Sequence, residues 1–121
     1  MNIDLVRRYI LSFPHATENL QWGEDLCFKV GGKIFVTIAL GAVPQSMCFK
    51  CTPEKFAELL EVEEIEPAPY VGRYKWVLLR RLDILPPSEV QALIRESYEM
   101  VAAKAKVAPK RRKKRAELSR R

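Results

Sequence analysis

The sequence predicts an α+β two-layer sandwich: an antiparallel sheet with helices on one face, in the order α-β-β-β-α-β-α. Three observations predict it. Two β-rich runs flank Gly31-Gly32 and signal a hairpin. Segments at the two ends of the folded region carry apolar residues three and four apart, the helical period. Every connection except Glu61–Arg73 is short, as sequential antiparallel strands require. With 121 residues, 48% of them hydrophobic, the chain suffices for one domain with its own core.

Ile3, Val6, Ile10 and Phe13 carry the first helix, and Pro14 ends it. "HATENLQWGED" is polar and reads as a turn-rich lead into the first strand. In "DLCFKVGGKIFVTIAL" a two-residue loop would put Leu26, Phe28 and Val30 on the face opposite Ile34, Val36 and Ile38. A three-residue loop, Val30-Gly31-Gly32, puts both sets on one face, because a one-residue slip exchanges faces. The expected register therefore sets Lys29 across from Lys33, with Gly32 left-handed. "SMCFKC" reads as a third strand, with Met47, Phe49 and Cys51 on one side and Cys48 and Lys50 on the other. "TPEKFAELL" opens a helix, with Thr52 as N-cap and Pro53 in first position. "EVEEIEPAPYVGR" reads as an acidic connection and "YKWVLLRR" as the fourth strand. Pro86 and Pro87 stop that strand and open a last helix, where Ser88 to Gln91 match a capping box. Val90, Leu93, Ile94, Ser97, Tyr98, Val101 and Ala105 form its buried stripe, and Pro109 breaks it. The expected organisation is a domain over residues 1–106 and a disordered basic tail over 107–121.

Charge is split along the chain. Residues 104–121 hold ten Lys and Arg against one acid, a net of +9, whereas residues 1–103 are net −3. Attraction to polyanions must then come mainly from the tail or from local patches. The run Lys110, Arg111, Arg112, Lys113, Lys114 and Arg115 is the leading candidate for phosphate contact. Lys29, Lys33, Lys50 and Lys75 are expected on strands, and the first three alternate away from the apolar face. With Arg73 they would line an open outer face beside Tyr70, Tyr74 and Trp76, a composition suited to phosphate contact and base stacking. The alternative makes Trp76 and Tyr70 core residues and the lysines a solvated face.

Nothing in the chain reads as an active site or a cofactor site. His15, the one histidine, follows Pro14 as a turn residue, with no nucleophile or acid pattern around it. Cys48 and Cys51 form a C-x-x-C, but strand alternation separates them onto opposite faces, and zinc would need a second pair. Glu61, Glu63, Glu64 and Glu66 read as a solvated segment. Three cysteines are an odd number, no apolar run nears the ~20 residues of a membrane span, and the N-terminus lacks a signal-peptide pattern. A cytoplasmic, non-enzymatic protein without cofactor or metal is expected.

Five segments, "FPHATE" (Phe13–Glu18), "FKVGGKIF" (Phe28–Phe35), "FKCTPE" (Phe49–Glu54), "PAPYVGRYKWV" (Pro67–Val77) and "IRESY" (Ile94–Tyr98), in this order and spacing, resemble the MmcQ/YjbR family. The resemblance implies a CyaY-like (frataxin-like) fold, in agreement with the element order, and a DNA-binding role. The chain departs from the family twice. Many members carry a His-bearing "YHxNKxHW" where this one has "YVGRYKW", so no role of those histidines carries over. Most members end near the position of Lys106, so the basic tail is an addition. The combined expectation is nonspecific backbone contact with nucleic acid, DNA ahead of RNA, chiefly through the tail. No recognition helix with base-reading residues is legible. The competing expectation is a small-molecule or protein-interaction domain with an accessory tail.

Overall fold

The computed structural model describes residues 2–105. The chain runs α1 (Ile3–Leu11), β1 (Thr17–Gln21), β2 (Asp25–Val30), β3 (Lys33–Ala39), β4 (Ser46–Lys50), α2 (Pro53–Leu59), β5 (Ile65–Pro67), a 3-10 turn (Gly72–Tyr74), β6 (Trp76–Leu79) and α3 (Pro87–Ala105). The strands form one antiparallel sheet in the order β1-β2-β3-β4-β6-β5. The helices pack on one of its faces, as the apolar periodicities require. Val6 and Ile10 of α1, Leu59 of α2, and Val90, Leu93, Ile94, Tyr98 and Val101 of α3 share one core with the inward residues of the four central strands.

The helix starts follow local chemistry. The Asn2 side chain accepts from Leu5 N at 2.9 Å, and Thr52 Oγ1 accepts from Lys55 N at 3.2 Å with Pro53 behind it. The expected capping box does not form. α3 starts at Pro87, two residues earlier than a Ser88 cap would set it, Ser88 lies inside its first turn, and Glu89 N and Val90 N donate to the Pro86 carbonyl.

Two short strands extend the expected sheet at its edges. β1 is polar "TENLQ", and β5 is three residues inside the acidic connection. Both are edge strands, which need no apolar alternation on their outer side.

The hairpin corrects the expected register. Val30 pairs with Lys33 and Lys29 with Ile34, so the loop is the two-residue turn Gly31-Gly32 and Lys29 does not face Lys33. Both glycines are left-handed, with φ of 59° and 79°. The conflict between a two-residue loop and matched apolar faces is solved inside β3. Phe28 pairs with Val36, so Phe35 is an extra residue without a partner, a β-bulge. Beyond it Leu26 faces Ile38, and Phe35 and Val36 are both fully buried, while Ile34 turns to the outer face.

Candidate functional site: a groove on the open sheet face and a basic end

The face of the sheet away from the helices is ordered in rungs. Cys27, Thr37, Cys48, Leu78 and Glu66 pair in sequence across β2, β3, β4, β6 and β5. Asp25, Ala39 and Ser46 form the rung at one end, and Lys29 with Ile34, and Lys50 with Trp76, lie at the other. Two loops rise beside this face, one carrying Trp22 and the other Pro69 to Val71. Together they enclose a groove of about 750 Å³. This size and its chiefly apolar lining are those of small-molecule sites.

Three aromatic residues shape the groove. Trp76 belongs to its floor and is half-buried, while Trp22 is 69% and Tyr70 98% exposed. Trp22 and Tyr70 hold left-handed backbone, φ 51° and 69°, a conformation disfavoured for bulky side chains. Tyr70 is therefore no core residue, contrary to the packing alternative. Trp22 was not legible as a site residue, although a tryptophan in the polar turn "QWGED", with no apolar periodicity to bury it, was the available signal.

Asp25 is the one formally charged residue lining the groove. None of the ion pairs among the described residues involves it. Its charge acts on the floor, since it adds to the burial that raises the pKa of Cys27 and pushes Cys48 up to about 11. Cys51 lies on the opposite side in the core, where burial pushes it up to about 12. The two cysteines of the C-x-x-C thus occupy opposite faces, as alternation dictates, and all three cysteines are free thiols.

The candidate basic residues gather at one end rather than across the face, and none of them lines the groove. Lys29 and Lys50 lie on the Ile34–Trp76 end of the open face, whereas Lys33, exposed at the hairpin turn, pairs with the core-facing Val30 and so does not share that face as expected. Lys50 Nζ donates to the Tyr74 carbonyl at 2.9 Å. Its pKa is lowered, first by burial and then by the charge of Lys104 in the last turn of α3. Lys75 is not on a strand. It follows the 3-10 turn in left-handed backbone, φ 70°, and its ammonium lies 5.1 Å from the Phe56 ring centre. The Arg73 guanidinium lies 4.9 Å from the Tyr74 ring centre. Lys110, Arg111, Arg112, Lys113, Lys114 and Arg115 fall outside the described residues.

The acidic segment resolves into ion pairs: Glu64 with Arg81 at 2.7 Å and Glu66 with Arg80 at 2.6 Å. Among the described residues no group of three or more His, Cys, Asp or Glu side chains is placed to hold a metal ion. No helix among them is long and apolar enough to cross a membrane. His15 is exposed in the turn after Pro14, in left-handed backbone with φ 64°.

A six-stranded antiparallel sheet with helices on one face and a groove on the other defines an α+β two-layer protein. Its fold is shared with a solved Deinococcus radiodurans protein described by the domain DUF419, at TM-score 0.77 and 27% identity over 85% of this chain and 80% of that one. A Pseudomonas syringae protein has the same fold at TM-score 0.68 and 17% identity, over 84% of this chain and 99% of that one. The YjbR family model matches residues 11–100, and the chain belongs to the MmcQ/YjbR family. No curated protein matches it.

Proposed function

We propose that the protein is a non-enzymatic binding module that holds nucleic-acid backbones, DNA in the first place, through its basic C-terminal segment. One observation carries this reading: the charge split, with residues 104–121 at net +9 and residues 1–103 at net −3. Lys29, Lys33, Lys50, Arg73 and Lys75 belong to the same end of the sheet, and the sequence beyond Ala105 adds nine further bases. A domain that is net −3 has only such local charge to offer a polyanion, so the basic segment supplies most of the attraction. Contacts of this kind position a protein on phosphates without reading base edges.

The test is binding of the full chain, and of a form ending at Lys106, to two duplexes of unrelated sequence across a salt series. Steep salt dependence that is lost with the segment, equal for both duplexes, supports the reading. Equal affinity and slope for the two protein forms rejects it.

A second reading, a small-molecule domain with an accessory basic segment, is favoured by the groove. Its lining includes a carboxylate and no base, which disfavours phosphates there.

A further inference from the structure

We propose that the groove on the open sheet face is a binding site for a small planar aromatic ligand that carries a positive charge. The inference rests on the second reading above and is independent of nucleic-acid binding.

Shape comes first. The groove volume of about 750 Å³ suits a ligand of several fused or linked rings. Its floor is the surface of the sheet, and its residues there are small or apolar, Thr37, Ala39, Cys48 and Leu78. A floor without protruding side chains beside exposed aromatic rings fits a flat aromatic guest better than a branched aliphatic one.

The aromatic residues supply the second argument. Trp22 and Tyr70 sit on separate loops, and both are held in left-handed backbone while their side chains remain largely in water. A folded chain gains nothing in core packing from an exposed ring, so neither the strain nor the exposure is accounted for by burial. Both residues line the groove, as does Trp76. Such rings bind flat aromatics by stacking and cations through their negative faces.

Charge decides the sign. Asp25 is the only formal charge in the lining, and it is free of the ion pairs that occupy Glu18, Glu58, Glu64, Glu66 and Asp83. Glu66, on the same face, is already neutralised by Arg80. A cationic ring system would satisfy Asp25 and the aromatic faces together, whereas an anion would oppose both.

The probe is proflavine, a flat aromatic cation at pH 7.5, set against acridine, a neutral ring system of the same shape, and anthracene-9-carboxylate, an anion. Binding to the full-length protein is measured by calorimetry and by tryptophan emission. The chain has two tryptophans, Trp22 and Trp76, and both line the groove, so emission reports the site itself. Expected is saturable binding of one proflavine per chain, tighter than acridine and much tighter than the carboxylate. Asp25→Asn should weaken proflavine by about tenfold and leave acridine nearly unchanged, the size of a lost charged contact. Tyr70→Ala, at a residue too exposed to matter for folding, should weaken proflavine and acridine alike. Absence of proflavine binding, equal or tighter binding of the carboxylate, or insensitivity to both substitutions would overturn the proposal. A chain ending at Lys106 should bind proflavine as the full chain does, so loss of nucleic-acid binding and loss of this site are separate results.

Discussion

The Ser97 hydroxyl donates to the Phe35 carbonyl at 2.7 Å and accepts from Lys50 N at 3.1 Å. Phe35 is the bulged residue of β3, and the rung it would have shared with Lys50 is missing from the ladder. A fully buried serine on α3 therefore takes the place of that rung, joining a carbonyl and an amide that burial would otherwise leave unsatisfied.

Ser97→Ala should destabilise the domain by about 1–3 kcal/mol, the cost of unpaired buried polar groups. Urea denaturation measures it. A loss indistinguishable from zero would show that water or a backbone shift replaces the hydroxyl.

Gly32 has φ of 79° and open space where a Cβ would go, so a side chain there costs backbone strain alone. Gly32→Val should cost roughly 1–2 kcal/mol and Gly32→Asn clearly less, because asparagine tolerates left-handed backbone. Equal costs in thermal melts would contradict the two-residue turn.

The thiols make stability fall in alkali. Burial raises the pKa of Cys48 to about 11 and of Cys51 to about 12 in the folded protein, from an ordinary 9.0. Above that ordinary value the unfolded chain releases these protons and the folded one keeps them. The contribution is thus fully present below about pH 9 and is lost as pH rises toward 11–12. Cys51→Ala should flatten the decline, which denaturation at several alkaline pH values can follow. At pH 8 a thiol reagent should modify Cys48, on the groove floor, before Cys51 in the core.

On duplex DNA the salt dependence should carry a log–log slope of roughly −5 if five or six bases of Lys110–Arg115 engage, at about 0.9 per phosphate. Substituting Lys29, Lys33 and Lys75 together should reduce the slope by less than removing residues 107–121. A larger effect of the triple substitution would move the main site onto the domain.

What the sequence determined by itself is the part governed by local period and local chemistry. The stripes of α1 and α3, the Thr52-Pro53 start of α2, the alternation that separates Cys48 from Cys51, and the split of charge between domain and C-terminal segment all follow from near neighbours in the chain. Tertiary structure decided what depends on partners distant in sequence. β1 and β5 are strands because a neighbour supplies their ladder, not because their own residues alternate. The hairpin kept the tight turn that Gly31-Gly32 favours and moved the correction to Phe35, since α3 could offer Ser97 to satisfy the bulge; no pattern within the hairpin contains that information. The groove belongs to the same class. Trp22 and Asp25 come from one stretch and Tyr70 and Trp76 from another some forty-five residues on, and only the pairing of β2, β3, β4 and β6 brings the two to one face.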